Sequence, residues 1–287
     1  MVRLAALRER FEVDGYVVVP GLLTADEVAR YGAAVDAGVV ARTAGDTRPR
    51  EERTRYEQSF LQCINLWEDR PDVRPLTFHP AIAAAAAELL GAESVRLWHD
   101  QALYKEAGGR RTDPHQDHPY WPITEADTIT AWIPLMDVDE ATGAMGYVPG
   151  SHRFGVRRFA DIFRGEGFDL AAGPEARGVE PVFVPVRAGD VAFHHGLTIH
   201  LAGENRSGAT RRAHTAIFFA DGCTRAERPR HHPSVDRAGI AVGAPIASPC
   251  TPVAHPRPAG DLPEPPPLPE PRRRGWPGWT WQDAPAG

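Results

Sequence analysis

The sequence predicts a mostly β protein with helical support, built around a double-sheet jelly roll, that is, a double-stranded β-helix. Two observations lead to this fold class. Helical patterns precede Ser94, and short segments rich in β-branched and aromatic residues follow it, separated by glycine and proline. Helices followed by a run of short strands are typical of this architecture. Its barrel is open at one mouth, where a metal site fits.

The first elements follow from local patterns. Residues 4–14 carry apolar side chains at helical spacing, and Gly15 ends that pattern before a β-branched run at 17–19. This order predicts a helix, a turn and a strand. Thr24, which is followed by two acidic residues, predicts the N-cap of a second helix that extends to about Val40.

The middle of the chain changes from helix to strand. Residues 43–55 are rich in Arg, Thr, Glu and Gly and predict an exposed loop. An alanine-rich helix is predicted after His79-Pro80, and Gly91 suits its C-cap. Short strand segments are predicted at 95–98, 103–104, 128–135, 144–148, 180–186, 191–195 and 213–219.

Composition divides the chain into a main domain and an extension. Residues 1–244 are predicted to form one domain with the jelly-roll core at about 94–222. Residues 245–287 contain 13 prolines and predict an extended segment without a core of its own. Because Trp276, Trp279 and Trp281 are costly to leave in water, we expect this extension to pack on the domain.

Charge and residue usage narrow the class of protein. A net charge of −6 and a pI near 6.1 argue against a nucleic-acid partner. No apolar run is long enough for a membrane span, and no signal peptide is recognisable. Three widely spaced cysteines suit free thiols in a reducing compartment, so we expect a cytoplasmic protein. We also expect a monomer or homodimer whose partner is a small-molecule substrate rather than a membrane. Lys105 is the only lysine against 31 arginines, which suggests a GC-rich bacterial genome.

One stretch offers metal ligands. His115 and Asp117 are two positions apart, so on an extended strand both side chains leave the same face. With His200 they form the two-imidazole, one-carboxylate set of non-haem Fe(II) oxygenases. The His-x-Asp pair alone is weak evidence for a metal site, because 12 His and 19 Asp in 287 residues give roughly 0.8 such pairs by chance. A polar pair in a loop is the alternative, and His118, His194 and His195 are the rival histidines, for which surface positions or positions behind the ligands are expected.

The motifs around these residues occur in a recognisable order. They are Phe11–Leu23, Gln101–Lys105, His115–Asp117, Ala131–Leu135, Val148–His152, His200 and Arg211–Arg212. In this order the chain resembles the phytanoyl-CoA dioxygenase family of Fe(II)- and 2-oxoglutarate-dependent oxygenases, whose core is a cupin-like jelly roll.

The resemblance implies a cofactor set and a ligand set. Fe(II) is expected on His115, Asp117 and His200, with 2-oxoglutarate and O2 as cosubstrates. In the family an arginine stands 11 residues after the distal histidine and grips the C5 carboxylate of 2-oxoglutarate; that position is Arg211 here. Arg212 is then expected to point outward as a solvated charge, and a slip in register would exchange the two.

The same resemblance assigns further residues to the cosubstrate pocket. Ala202 departs from the pattern, because some relatives have a hydroxyl two residues after the distal histidine that bonds the oxoacid. Tyr120, Trp121 and His118 either face the substrate or form a packed aromatic rim. Gln101, Trp132, Gln116 and Gln62 are expected to line the oxoacid pocket, with core packing an equal alternative for Trp132.

These expectations define a reaction class. We expect hydroxylation of a small organic molecule, a bacterial specialised metabolite, with release of succinate and CO2. Asp117 argues against halogenation, since halogenases of this fold have a small residue there so that chloride can bind iron. Desaturation, epimerisation or ring formation is the first alternative, and a non-catalytic cupin-like metal-binding protein is the second. Loops 43–55 and 153–178 are expected to set the choice of substrate.

Overall fold

The computed structural model describes residues 2–171, 177–227, 232–258 and 260–267. The helices in these residues are α1 (Val2–Asp14), α2 (Ala25–Thr43), α3 (Leu66–Asp69), α4 (Arg74–Thr77), α5 (Pro80–Leu90) and α6 (Pro233–Asp236). The strands are β1 (Tyr16–Val19), β2 (Leu61–Ile64), β3 (Val95–Lys105), β4 (Thr112–His115), β5 (Thr128–Pro134), β6 (Met145–Tyr147), β7 (Val182–Val184), β8 (Val191–His195), β9 (His200–Ala202), β10 (Arg211–Ala220) and β11 (Val253–His255).

The strands form two antiparallel sheets. The larger sheet has the order β1-β8-β5-β10-β3, and β2 and β11 pair with different parts of β3. The smaller sheet has the order β4-β9-β6-β7. This is the predicted double-sheet jelly roll, so the predicted fold class is confirmed.

A helical layer covers the outer face of the larger sheet. Helices α1 and α5 pack against its strands, and α2 contributes Val35 to the same apolar core. Thr24 begins α2 with a capping box, in which its hydroxyl accepts from Glu27 N and the Glu27 carboxylate accepts from Thr24 N. Gly91 ends α5 in the left-handed region at φ 68°, as its predicted C-cap role requires. The helices therefore hold the sheet from behind and leave its other face to the barrel interior.

The structure departs from the sequence prediction at the short strands. The segments predicted at 95–98 and 103–104 are one continuous strand, β3, of 11 residues. Four strands of three or four residues, β2, β4, β9 and β11, come in addition to the segments predicted by strand-type composition. Short strands of this kind are stabilised by their partners and carry little pattern of their own.

The proline-rich segment contributes to the main body in its described part. Strand β11 pairs with β3 through Val253 and His255. Ile246 and Thr251 are fully buried. The tryptophans at 276, 279 and 281, expected to pack on the domain, lie outside the described residues. Across the described ranges, none of the helices combines the length and apolar character needed to cross a bilayer.

Candidate active site

The candidate metal ligands come from two paired strands of the smaller sheet. His115 ends β4 and lies directly opposite His200 of β9, so the two imidazoles lie side by side with ring centroids 4.3 Å apart. Asp117 is not on the strand: it has helical backbone angles, φ −74° and ψ −46°, at the start of a 3-10 helix. The prediction of one extended strand from His115 to Asp117 is therefore wrong. The turn after His115, rather than strand alternation, brings the carboxylate to the imidazoles.

Three electron-pair donors converge at this point. The ligand atoms of His115, Asp117 and His200 all lie within 4.8 Å of one another. Each imidazole has its Nδ1 beside a backbone carbonyl oxygen, at 2.8 Å for His115 and 3.0 Å for His200. A carbonyl oxygen only accepts, so both Nδ1 atoms carry the hydrogen and both Nε2 atoms present a lone pair. These Nε2 atoms lie 3.6 and 3.5 Å from Asp117 Oδ1, which is the arrangement of a cation site.

The orientation of the Asp117 carboxylate is fixed from behind. Its Oδ2 accepts from Thr130 Oγ1 at 2.9 Å and lies 3.2 Å from His194 Nε2. Oδ1 is thus left to face the two ligand imidazoles. His194 had been expected at the surface or behind the ligands, and the structure places it behind Asp117, 1% exposed.

The protonation states suit a metal ion. Burial by itself raises the pKa of Asp117, but the imidazoles of His200, His115 and His194 outweigh it and hold that pKa well below its usual range. Burial holds the pKa of His200 well below its usual range. A charged carboxylate and a neutral imidazole are the forms that bind a divalent cation.

The same cavity contains the predicted arginine. Arg211 is 2% exposed and lines the cavity together with Trp132, over whose ring its guanidinium carbon lies at 5.3 Å. Its Nη1 donates to Gly143 O at 3.1 Å. Arg211 Nε and Trp132 Nε1 are buried without a hydrogen-bond partner among the described residues. Burial lowers the pKa of Arg211 to about 10, so the guanidinium stays charged. Two unpaired donors and a buried positive charge fit a carboxylate ligand.

Arg212 has a different environment. Its Nη1 donates to Asp36 Oδ2 at 2.6 Å, and its side chain is 35% exposed. The alternation of β10 therefore directs Arg211 inward and Arg212 outward, in the register that the sequence prediction favoured.

The other predicted pocket residues divide into two groups. Gln62 and Gln101 line the cavity from the neighbouring strands β2 and β3, and Gln62 Nε2 donates to Gln101 Oε1. Gln116 does not reach the cavity: its amide donates to Gly155 O at 3.0 Å and to Leu197 O at 2.6 Å. The structure thus corrects the expectation for Gln116, which braces loops outside the cavity.

Thr112 supplies a hydroxyl close to Ala202, the position at which some relatives have a hydroxyl side chain. Thr112 lies opposite Ala202 in the β4-β9 pair, and both line the cavity. Its Oγ1 is 3.5 Å from the Nζ of Lys105, whose side chain is fully buried. Sequence reasoning missed Thr112 because cross-strand partners are not visible in a single sequence.

The opposite end of the cavity is apolar and aromatic. Tyr120 and Trp121, which were candidates for the substrate side, line it, whereas His118 and His195 are not among the lining residues. His99 and His232 also line this end and had not been singled out from the sequence. The alternation of β3, with Gln101 already placed inward, was a signal for His99. Further lining residues that give the cavity apolar or aromatic surface are Tyr56, Phe60, Ile162, Phe163, Ile217 and Pro233.

Comparison with known proteins agrees with this geometry. The sequence model of the phytanoyl-CoA dioxygenase family matches residues 11–213. The chain belongs to this family. The resemblance found in the motifs is thereby confirmed, and His232 lies beyond the matched residues.

Relatives of known class span most of the chain. A probable alpha-ketoglutarate-dependent hypophosphite dioxygenase of Stutzerimonas stutzeri is 27% identical over 213 residues, which are 69% of this chain and 72% of that protein. The non-heme alpha-ketoglutarate-dependent carbocyclase SnoK from nogalamycin biosynthesis matches with a TM-score of 0.70 at 31% identity, over 86% of this chain and 95% of SnoK. The epimerase SnoN, solved with Fe3+, alpha-ketoglutarate and nogalamycin RO, matches with a TM-score of 0.73 at 28% identity, over 88% and 99%.

Family membership also confirms the enzyme class. The chain is an oxidoreductase of the Fe(II)- and 2-oxoglutarate-dependent class, with iron, 2-oxoglutarate and O2 as the predicted cofactors and cosubstrates. The convergence of His115, Asp117 and His200 fits a metal ion, and the unpaired donors of Arg211 and Trp132 fit the diacid.

Proposed function

We propose that this enzyme hydroxylates a C–H bond of a small specialised metabolite, with release of succinate and CO2. The observation that carries the proposal is the convergence of three lone-pair atoms and one buried guanidinium in a single cavity. The apolar far end of that cavity leaves room for an organic substrate next to the metal site. The match to SnoK and SnoN, which belong to nogalamycin biosynthesis, supports a specialised metabolite as the substrate.

Each site residue has a proposed role. His115 Nε2, His200 Nε2 and Asp117 Oδ1 hold the iron, and Arg211 holds the distal carboxylate of 2-oxoglutarate with the help of Trp132 Nε1. Bound there, Fe(II) supplies the activation of dioxygen that is coupled to oxidative decarboxylation of the 2-oxoacid.

The surrounding residues orient these groups and keep water out. Thr130 and His194 hold Asp117 Oδ2, so that Oδ1 needs no reorganisation to meet the metal. Tyr120 and Trp121 are 7% and 4% exposed and close the substrate end against solvent. Ile162 and Phe163 come from the loop 153–178, which was expected to set the choice of substrate.

Ring formation and epimerisation are the second candidate. They are favoured by one observation: the carbocyclase SnoK and the epimerase SnoN match this chain at 31% and 29% identity with TM-scores of 0.70. Hydrogen removal from the substrate is common to all these outcomes. The product distinguishes them, since hydroxylation adds one oxygen, ring closure removes two hydrogens, and epimerisation leaves the mass unchanged.

The test has two stages. Without oxygen, Fe(II) and 2-oxoglutarate are expected to give the visible charge-transfer absorption of a chelated 2-oxoacid. In air, the same sample with candidate polycyclic metabolites is expected to release succinate and CO2, and mass spectrometry identifies the product. Asp117→Ala is expected to abolish both signals, because one of three ligands is lost. Retained turnover in that variant, or metal binding without succinate release in the wild type, would contradict the proposal.

A further inference from the structure

We propose that His99 is a substrate-binding residue whose Nε2 accepts a hydrogen bond from a hydroxyl group on a neutral, ring-shaped substrate. This inference rests on the proposed function and names the chemistry that the far end of the cavity recognises. His99 lies on β3, two residues before Gln101, and lines the cavity with its side chain almost fully buried.

The tautomer of His99 decides what it can bind. Its Nδ1 lies 3.4 Å from the backbone carbonyl of Asp100, and a carbonyl oxygen only accepts. The hydrogen of the neutral ring therefore belongs on Nδ1, and Nε2 is an acceptor. Among the described residues none bonds this Nε2. Because His99 lines the cavity, this nitrogen is placed to accept a hydrogen bond from a ligand hydroxyl there.

The charge state supports an acceptor role. Burial lowers the pKa of His99 to about 4, although the Asp100 carbonyl and the Asp117 carboxylate act in the opposite direction. The ring is therefore neutral near pH 7. Apart from its histidines, the described lining of the cavity includes two side chains that carry a charge at that pH, Asp117 and Arg211, and both belong to the iron and 2-oxoglutarate site. The part of the substrate that reaches the iron is accordingly neutral.

Aromatic rings frame His99 on two sides. Trp121 meets its ring edge-on at a centroid distance of 6.2 Å, and the ring of His232 lies 5.4 Å away. His232 is stacked on Trp98 at 4.3 Å, and its Nδ1 accepts from Ser234 N at 3.2 Å. Flat walls of this kind suit a flat ring system, against which aromatic side chains stack.

The position of His232 in the chain suggests that it contributes to the choice of substrate. It lies after residue 213, where the family match ends, and is delivered to the cavity by the segment around α6. That segment is fixed by the ion pair between Arg225 and Asp236, whose nearest atoms are 2.6 Å apart. The wall next to His99 is therefore built in part by a segment that the family model does not match.

A matched pair of probes tests the inference. Binding of 2-hydroxyanthraquinone and 2-methoxyanthraquinone to the Fe(II)- and 2-oxoglutarate-loaded protein is measured without oxygen, by quenching of tryptophan fluorescence. The wild type is expected to prefer the hydroxyl compound by about tenfold, the effect of one hydrogen bond. His99→Phe should remove the preference. His99→Gln, which keeps an acceptor, should retain part of it, and a complete loss there would contradict the assigned hydrogen bond.

A control and an independent readout separate the possible failures. His79→Phe removes a buried imidazole on the helical side, outside the cavity, and is expected to keep the wild-type preference. The visible absorption of the loaded site is expected in every variant. If that absorption is absent from the wild type, the proposed function fails. If it is present but neither probe binds, or His99→Phe keeps the preference, the inference about His99 is wrong while the proposed function stands.

Discussion

Two backbone carbonyls decide which nitrogen of each ligand histidine faces the iron site. By accepting from Nδ1 they leave Nε2 unprotonated in both His115 and His200, with no other residue needed. The third ligand depends on neighbours instead, because Asp117 Oδ2 is held by Thr130 and lies beside His194. Substitution of a ligand therefore removes a metal bond, whereas substitution of a residue behind Asp117 removes only the support that orients its carboxylate.

Thr130→Val is expected to weaken iron binding without removing a ligand. The change deletes the hydroxyl that bonds Asp117 Oδ2 and keeps the shape of the side chain. Loss of such a supporting bond costs roughly 10- to 100-fold in metal affinity. Anaerobic Fe(II) titration measures it. Thr128→Val is the matched control, since Thr128 lies on the same strand and does not line the cavity. Equal affinities in the two variants would refute the role given to Thr130.

Arg211→Ala is expected to raise the KM for 2-oxoglutarate by about 100-fold or more, because a charge-assisted anchor of a few kcal/mol is lost. Arg212→Ala should change that KM by a few fold at most, since Arg212 pairs with Asp36 at the surface. Steady-state kinetics with varied 2-oxoglutarate compares the two neighbours directly. A larger effect at Arg212 would mean that Arg212, and not Arg211, points from β10 into the cavity.

Strand β3 directs cavity-lining side chains to one face and a buried carboxyl to the other. His99, Gln101 and Leu103 line the cavity, whereas Asp100 lies fully buried on the opposite face, towards the helices. Asp100 Oδ2 accepts from Thr77 Oγ1 at 2.7 Å and from Trp67 N at 3.1 Å. A single strand thus carries cavity residues and a buried carboxyl.

The Asp100 carboxyl predicts a pH dependence of stability. Burial raises its pKa to about 7, against the lowering effect of the bonds from Thr77 and Trp67. A carboxyl whose pKa is raised on folding contributes stability that is full below the unfolded pKa of about 4 and is lost as the pH rises through 7. Asp100→Asn does not titrate. The unfolding free energy of the wild type is therefore expected to fall relative to this variant between pH 4 and pH 7.

Chemical denaturation of both proteins across that range measures the difference. It is about 4 kcal/mol at most, from 1.36 kcal/mol per pKa unit. Comparing the two proteins at each pH cancels the carboxyls that they share. If the unfolding free energies of wild type and variant changed in parallel with pH, the pKa of Asp100 would not be raised by folding.

The elements that could be predicted are those whose pattern is local. The helix after Thr24 is signalled by its own cap, and the interior strand 128–134 by its β-branched residues. By contrast, β3 appeared as two pieces, because polar Asp100 and Gln101 in its middle interrupt the apolar pattern. Those polar residues face a buried network and the cavity, and both environments are created by tertiary packing.

The same division applies to the candidate site. The residues at 115, 117, 200 and 211 could be chosen from motif order, and the structure brings all four to one cavity. The orientation of Asp117 could not be predicted, since it depends on a turn and on Thr130. Gln116 was expected at the oxoacid from the family resemblance alone, and its amide instead bonds Gly155 O and Leu197 O outside the cavity.

At the scale of the whole molecule, the segment after the family match closes the fold. Strand β11 covers part of the edge of β3, and Leu97 N donates to Pro252 O at 3.0 Å. Ile246 N donates to Cys223 O at 2.8 Å, and the Ile246 side chain is fully buried. This segment also follows α6, which positions the His232 wall, so stability and the shape of the cavity depend on the same part of the chain.

Truncation after Ala244 is expected to lower the melting temperature by about 10 °C relative to truncation after Pro267. Loss of a buried isoleucine alone costs about 2 kcal/mol, and removal of β11 adds the loss of its backbone bonds. At roughly 2–4 °C per kcal/mol for a chain of this size, the sum gives that shift. The uncovered edge of β3 is also expected to promote self-association, measured by light scattering.

The chain ending at Pro267 separates this effect from the terminal tryptophans. It keeps the contacts described for β11 and also Pro267, whose carbonyl oxygen accepts from Arg237 Nη2 at 3.0 Å. A fall in melting temperature from the full chain to this form, with a change in tryptophan fluorescence, is what docking of Trp276, Trp279 and Trp281 predicts. Equal melting temperatures for the chains ending at Ala244 and Pro267 would show instead that the β11 contacts do not stabilise the jelly roll.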